Sequence, residues 1–294
     1  MKRATLAAMT AALLVSTLSS LMPSRAQALP IPFELFTEAE PRTLRSHIPA
    51  ENNPSVQKWV KFFSVDDRER FDRFMQRGAL YKTLIQDILV EHGVPPEMYY
   101  LAMIESGFAR RARSHARAVG VWQFMAPTAK LYGLRVDKEV DERMDVIRAT
   151  RAAARHLKDL KNEFGSWYLA MAAYNCGSGC VRRAVRKHDS KDFWRLVRRR
   201  AIPSETANYV PKFQAAMLIA RNPEKFGFER KTLYEFPLVR RVKVPAKTHL
   251  ADVARKYNVP TRTLIALNQH LIRGHTPSGK STYEIWIPKT KKNI

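Results

Sequence analysis

Cysteine and acidic side chains are scarce in this sequence of 294 residues. Its two cysteines cannot build the framework of a small disulfide-rich scaffold. With 11 glycines, 17 prolines and 45% hydrophobic residues, the chain is neither collagen-like nor wholly disordered. Asp and Glu number 27 against 51 Lys and Arg, which gives a net charge of +24. We therefore expect an anionic partner, for which nucleic acid, a membrane surface and a wall polymer are the candidates.

Long apolar runs are missing except near the amino terminus. There, two basic residues precede an apolar stretch over residues 4–14, and Ala-Gln-Ala at 26–28 forms a small-x-small cleavage signal. This order predicts a signal peptide, residues 1–28, cleaved after Ala28. The alternative, a membrane anchor, needs a longer apolar run. We expect an exported protein, periplasmic or associated with the cell wall, with no cysteine placed to carry a lipid. Because an exported protein does not meet nucleic acid, we expect no nucleic acid partner.

The pattern of apolar residues divides the rest of the chain into three parts. Residues 29–55 are rich in Pro, Glu and Ser without periodicity and are predicted to be a leader or linker. Residues 56–225 carry helical spacing and predict an all-α domain large enough for its own core. Residues 237–290 predict a strand, two short helices and a second strand. The expected fold class is mainly α, followed by a small α+β module of β-α-α-β order.

Glu105 is the candidate catalytic residue. It ends an apolar helix, and a carboxyl group held against apolar surroundings has a raised pKa, which suits a general acid near neutral pH. Residues 106–136 contain no Asp or Glu, so the local sequence offers one carboxylate and not the usual glycosidase pair. The structural alternative is a glutamate at a helix end that points into solvent.

Two further segments carry groups suited to a cleft. The first is Gly-Val-Trp-Gln-Phe-Met at 120–125, and the second is Ala-Ala-Tyr-Asn-Cys-Gly at 172–177. Aromatic rings stack on sugars or fill a core, while amides and phenols bind a ligand or cap a buried helix. On the residues alone, both interpretations of each segment remain.

Together with Glu105-Ser106-Gly107-Phe108 and the later Tyr209, these segments occur in the order found in the catalytic domain of soluble-type lytic transglycosylases, which residues 56–225 resemble. The resemblance implies a lysozyme-like fold and peptidoglycan glycan strands as substrate. It further implies cleavage of the β-1,4 bond between N-acetylmuramic acid and N-acetylglucosamine without water, leaving a 1,6-anhydromuramoyl end. Glu105 would act first as acid and then as base, with no metal and no organic cofactor.

The same resemblance assigns a substrate-binding set and leaves two rival functions. The set consists of Ser114, Gln123, Met125, Tyr174, Asn175 and Tyr209. Arg117 stands where the family often has glycine. The rivals are a muramidase-type hydrolase on the same fold, which needs a second group to activate water, and a wall-binding protein without catalysis.

The final module carries Val244-Pro245-Ala246-Lys247-Thr248-x-Leu250-x-x-Val253-Ala254, followed by Tyr257-Asn258-Val259, Leu264 and Leu267-Asn268. This pattern is similar to a divergent LysM module, and LysM modules bind glycans that contain N-acetylglucosamine. In this module the usual Gly-Asp-Thr is replaced by Ala-Lys-Thr at 246–248. Glycan binding, attraction of its basic residues to wall carboxylates, and simple packing on the catalytic domain are therefore alternative roles.

Two features are left open by the sequence. Nine of the residues from 182 to 200 are Lys or Arg, which indicates either a solvated helical face or a surface attracted to anionic wall peptides or lipid; we favour the wall. Cys176 and Cys180 either form a disulfide in an exported protein or stay free, and two such ligands do not make a zinc site.

Overall fold

The structure, a computed structural model, describes residues 37–38, 48–279 and 281–289. The predicted signal peptide and most of the predicted leader lie outside these residues. Within them, ten α-helices precede the final module. They are α1 (Pro54–Lys61), α2 (Arg68–Ala79), α3 (Lys82–Glu91), α4 (Tyr99–Ser106), α5 (Ala126–Leu131), α6 (Val146–Phe164), α7 (Trp167–Cys176), α8 (Ser178–His188), α9 (Phe193–Arg198) and α10 (Ser204–Arg221).

Helix starts and stops follow local chemistry. The Asn53 side chain accepts a hydrogen bond from the backbone N–H of Val56, and proline follows it in the first turn of α1. At α6, the Asp145 carboxylate accepts from the N–H groups of Ile147 and Arg148. The helix ends where Gly165 adopts φ of 72°, a left-handed conformation that glycine tolerates. Because Asn53 caps it, helix α1 begins at Pro54, within residues 29–55, which the sequence predicts to be a leader or linker.

Three helices form the centre of the core. Residues 99–103 of α4 and residues 169–173 of α7 are buried without a break, because their sequences are apolar on every side. Helix α10 packs against both and also against α1. This arrangement places the carboxyl ends of α4 and α7 near the same face of α10.

The final module has the predicted β-α-α-β order. Strand β3 (Val239–Pro245) pairs antiparallel with β4 (Thr282–Pro288), and helices α11 (Leu250–Lys256) and α12 (Thr261–Leu267) lie between them in sequence. A second small sheet joins β1 (Thr37–Glu38) to β2 (Tyr234–Glu235). The prediction of a mainly α chain followed by a small α+β module is confirmed.

The module is joined to the helical part by buried polar contacts. Trp286 of β4 donates its Nε1 hydrogen to Asp145 Oδ2 at 2.6 Å, so the carboxylate that caps α6 also holds the module. Tyr283 donates to Glu142 Oε1 at 2.6 Å, and Arg148 donates to the Glu284 carbonyl at 2.9 Å. Because these groups are largely desolvated, their hydrogen bonds fix the module against the domain.

None of the helices in the described ranges combines the length and apolar character that crossing a bilayer requires.

Candidate active site

Glu105 lies at the carboxyl end of α4, one residue before the helix terminates. The chain leaves the helix at Gly107, whose φ of 55° is left-handed and where a Cβ would come within 2.1 Å of the Phe74 ring. Glycine is therefore required at this turn. The Ser106 hydroxyl donates to the Val121 carbonyl at 2.9 Å and ties the end of α4 to the following loop.

The Glu105 carboxyl group is paired with a phenol. Tyr209 of α10 donates its hydroxyl hydrogen to Glu105 Oε1 at 2.5 Å. Burial raises the pKa of Glu105 to about 7, opposed by the Tyr209 hydrogen bond and by Lys212, while the charge of Glu205 adds to the rise. A carboxyl group with this pKa is half protonated near neutral pH, so it can both donate and accept a proton.

Tyr174 and Asn175 lie at the end of α7. The Tyr174 hydroxyl donates to the Trp122 carbonyl at 2.7 Å, and burial, with Glu105 as the next cause, raises its pKa. The Asn175 Oδ1 atom accepts from Thr206 Oγ1 of α10 at 2.7 Å. Both side chains are therefore held by the elements that surround Glu105.

Gln123 lies in a loop whose backbone is tightly constrained. Its own φ is 47°, and its Nε2 donates to the Gly120 carbonyl at 2.8 Å. A Cβ at Gly120 would lie 1.9 Å from the Arg143 carbonyl oxygen, so only glycine fits there. Trp122 is fully buried and donates to Thr150 Oγ1, which makes it a core residue and not a sugar platform.

Ser114 and Met125 lie at the outer part of this loop. Ser114 is exposed, and its Oγ accepts from the Ala118 N–H at 3.0 Å, while the Met125 side chain is 43% exposed. Arg117 has φ of 65°, the conformation in which glycine is favoured. The structure brings Glu105 and Tyr209 into direct contact and places Tyr174 near enough for the charge of Glu105 to add to the rise that burial causes in its pKa. Gln123 lies in the loop that accepts the Tyr174 hydrogen bond, and Asn175 is hydrogen-bonded to α10. The structure shows no contact of Ser114 or Met125 with Glu105.

Sequence reasoning missed a row of residues on α10. Glu205 and Lys212 lie four residues before and three residues after Tyr209, so helical geometry places all three on one face. Lys212 Nζ sits 4.5 Å from the centre of the Trp59 ring, and Trp59 Nε1 donates to Asn208 Oδ1 at 3.0 Å. The helical spacing from Tyr209 was the signal that could have identified Glu205 and Lys212.

Cys176 and Cys180 form a disulfide across the junction of α7 and α8, with their Cα atoms 5.9 Å apart. Gly177 separates the two helices with φ of 87°, which frees the cysteines from the spacing of a single regular helix. The disulfide alternative is thus the one observed, next to Asn175. The described residues contain no group of three or more His, Cys, Asp or Glu placed to hold a metal ion.

Comparison with known proteins gives matches over this region. Residues 84–197 match the model of the Transglycosylase SLT domain, a range that includes Glu105 and Asn175 but not Tyr209. The chain is 31% identical over 218 residues to "Membrane-bound lytic murein transglycosylase D" of Escherichia coli strain K12, covering 72% of this chain and 47% of that protein. It is 37% identical over 102 residues to "Peptidoglycan transglycosylase gp16" of Escherichia phage T7, covering 34% and 8%.

Among solved structures, the 70 kDa soluble lytic transglycosylase of Escherichia coli matches with a TM-score of 0.41 and 17% identity, over 66% of this chain and 40% of that one. The chain spans about half the length of the Escherichia coli relative that it matches in sequence. The sequence matches are the stronger findings, and the family match covers α4 and α7 but not α10. Residues 84–197 are therefore similar to the Transglycosylase SLT domain, and the chain is similar in sequence to lytic murein transglycosylases.

Proposed function

We propose that this protein is a lytic transglycosylase that cleaves the β-1,4 bond between N-acetylmuramic acid and N-acetylglucosamine in peptidoglycan. The observation that carries the proposal is the setting of Glu105, a half-buried side chain whose carboxyl group has a pKa raised to about 7 and accepts a hydrogen bond from Tyr209. The match to the Transglycosylase SLT domain supports it.

In the proposed reaction, Glu105 acts in two steps. In the first it donates its proton to the glycosidic oxygen as the bond from that oxygen to the muramoyl C1 breaks, and the muramoyl N-acetyl oxygen bonds to C1. In the second, the Glu105 carboxylate accepts the proton of the C6 hydroxyl. The C6 oxygen bonds to C1 as the N-acetyl oxygen leaves. The product carries a 1,6-anhydro ring, no water is consumed, and Glu105 ends protonated as it began.

Tyr209 has a defined role in this scheme. Its hydroxyl donates to the carboxylate form of Glu105 and so stabilises the state that must act as base. Gln123, Tyr174 and Asn175 are proposed to hydrogen-bond the sugars. Ser114 is proposed as a further contact at the rim, and Met125 as an apolar wall, in keeping with their exposed positions.

Digestion of purified peptidoglycan sacculi, with mass spectrometry of the released fragments, tests the proposal. Anhydromuramoyl ends are the expected product, and Glu105→Gln is expected to release none. Reducing muramoyl ends would mean hydrolysis instead. Binding to sacculi without release would favour a wall-binding protein without catalysis.

One observation supports hydrolysis as a second candidate. Glu205 acts electrostatically on Glu105, so a second carboxylate is present near the site although residues 106–136 contain none. Such a group can activate water in an inverting glycosidase. If Glu205→Gln abolished release while reducing ends were the product, hydrolysis would be the better description.

We also propose that the protein is exported and held at the wall by charge. All nine Lys and Arg residues between 182 and 200 are exposed, and they lie on and around α8 and α9. Such a surface attracts the carboxylates of wall peptides, and that attraction weakens as salt screens it. The LysM-like resemblance makes glycan binding a proposed role of the final module, for which binding to soluble N-acetylglucosamine oligomers is the test.

A further inference from the structure

A cavity of about 360 Å³ lies beside α4, away from Glu105. Tyr99, Tyr100 and Met103 of that helix form one wall. Because an α-helix turns by about 100° per residue, Met103 and Glu105 lie on nearly opposite sides of α4. The cavity is therefore separate from the candidate active site.

Apolar groups make up much of the cavity lining. Met75 and Ala79 of α2 face it, with Ala220 of α10 and Leu233 of the segment after α10. The exposed residues of the 229–232 segment mark its opening to solvent. Ligand sites in proteins commonly have volumes from about 300 Å³ upward and a largely apolar lining with few polar groups.

One cation on the lining has no counter-charge. Lys82 of α3 is partly buried, and within the described chain its amine has neither a carboxylate partner nor a hydrogen bond. Burial lowers the pKa of Lys82, and the charges of Arg221 and Arg230 lower it further.

The neighbouring cations differ from Lys82 in being paired. Arg221 Nη2 lies 2.8 Å from Glu97 Oε1, and Arg230 Nε lies 2.7 Å from Glu224 Oε1.

Lys231 also lines the cavity, and its Nζ lies 2.9 Å from Asp72 Oδ1. The lining includes the carboxylate of Glu229, which is exposed at the opening. Charge at the inner wall is therefore unbalanced at Lys82, and a partly desolvated cation is stabilised by an anion that reaches it.

We propose that this cavity binds an organic monoanion with an apolar body, with the acid group against Lys82 and the body against Tyr99, Tyr100 and Met103. An acyl carboxylate and an aromatic acid share this chemistry. The proposal does not depend on the reaction at Glu105.

Fluorescence titration of the full chain with anilinonaphthalene sulfonate, an anionic aromatic probe that brightens in apolar sites, tests the proposal. Lys82→Met keeps the length of the side chain and removes its charge, and we expect it to weaken probe binding at least tenfold. Lys82→Arg should retain binding. The matched control is Lys158→Met, which removes an exposed lysine of α6 and should bind as the unmodified protein does.

A second variant addresses the space instead of the charge. Ala220→Phe should fill part of the cavity and reduce binding, with circular dichroism used to verify that both variants fold. Glu105→Gln should bind the probe normally, which separates this proposal from the proposed function. Unchanged affinity in both Lys82→Met and Ala220→Phe would overturn the cavity as the binding site.

Competition identifies the source of the ligand. Displacement of the probe by decanoate indicates an acyl carboxylate, and displacement by benzoate indicates an aromatic acid; either result supports the proposal. Decanol provides the neutral comparison and should compete at least tenfold less well than decanoate. Equal competition by decanol, or none by either acid, would overturn the requirement for an anion.

Discussion

The hydroxyl group of Tyr209 donates to Glu105 Oε1 at 2.5 Å across a separation of 104 residues in sequence. The bond joins the end of α4 to the second turn of α10, where Tyr209 is buried and Glu105 is half-buried. A hydrogen bond to a charged group in such surroundings is worth more than one at the surface. Catalysis and stability should both depend on this contact.

Glu105→Gln should abolish release of peptidoglycan fragments, lowering the rate by about 100-fold or more, because the amide neither donates nor accepts the transferred proton. Sacculus digestion measures this directly. Glu205→Gln is the matched control, and the proposed transglycosylation should survive it. Release by Glu105→Gln at near the original rate would contradict the role of Glu105.

The same substitution should stabilise the fold at alkaline pH. The folded protein raises the pKa of Glu105 from 4.5 to about 7, so it holds a proton that the unfolded chain releases. The free energy of unfolding therefore falls as the pH rises from about 4.5 to about 7. Above pH 7, Glu105→Gln should be more stable by roughly 1–3 kcal/mol in urea denaturation. A variant less stable than the parent at pH 8 would argue against a costly buried carboxylate.

Tyr209→Phe should move the pH dependence of activity. Without the phenol hydrogen bond, the carboxylate form of Glu105 is less stabilised, so its pKa should rise and the alkaline limb of the activity profile should shift to higher pH. The maximal rate should fall roughly tenfold, as expected for loss of a hydrogen bond to a charged group. If the Tyr209 hydroxyl had only a structural role, the substitution would lower the rate without shifting the alkaline limb of the activity profile.

His156→Phe should make the fold less sensitive to acid. The ring lies between Tyr132 and Tyr174, with centroids 4.8 Å and 5.1 Å away, and burial lowers the pKa of His156 to about 4. Below about pH 6.5 the imidazole of His156 is protonated in the unfolded chain but stays neutral in the folded chain. The free energy of unfolding therefore decreases as the pH falls from 6.5 toward 4.

The expected difference between His156→Phe and its parent is about 1–3 kcal/mol near pH 4.5, measured by denaturant titration at a series of pH values. His115→Gln, a change at an exposed histidine, is the control and should leave the pH dependence as it was. If the free energy of unfolding had the same pH dependence in His156→Phe and in its parent, this explanation would be wrong.

Replacing Cys176 and Cys180 together by serine should lower the stability by about 2 kcal/mol, since the disulfide closes a short loop. Activity should be retained at temperatures where the variant is folded, because Thr206 still holds Asn175. Thermal unfolding with and without reductant measures the effect. If reductant lowered the melting temperature of the serine variant as much as that of the parent, the effect of the reductant would not come from this disulfide.

Asp145→Asn should destabilise the junction of helical domain and module by about 3–5 kcal/mol. Burial acts to raise the pKa of Asp145, but Arg148, at 2.6 Å, and His270 hold it below its usual range. The amide can keep one acceptor for the Trp286 indole or for the helix cap. It removes the nearer of the two carboxylates that pair with Arg148, leaving only Glu142 at 3.4 Å. Denaturation in urea measures the loss, and Asp159→Asn on the exposed face of α6 is the control.

Local patterns were enough for the parts of the fold that depend on near neighbours. The apolar run before Glu105 predicted both the buried helix α4 and the raised pKa, because burial of that carboxyl group follows from the helix around it. The β-α-α-β order of the final module followed in the same way from short periodic segments.

Contacts between distant residues were beyond this reasoning. Lys212 reaches the Trp59 ring and acts on Glu105 only after α1, α4 and α10 have packed together. The core role of Trp122 is likewise decided by its bond to Thr150 on α6, so its ring cannot be assigned to sugar binding from the motif alone. The Cys176–Cys180 bond depended on how Gly177 turns the chain, which spacing leaves undetermined.

The cap of α6 has a consequence for how the module can be studied. Because Asp145 serves the helix, Arg148 and Trp286 at once, cutting the chain before β3 would also strip Trp286, Leu267 and Ala266 from the core they share with the helices. A truncated protein would report the loss of that shared core and reveal nothing about ligands of the module. The two parts share one core and are expected to unfold together, so their roles are best separated by substitutions at exposed positions.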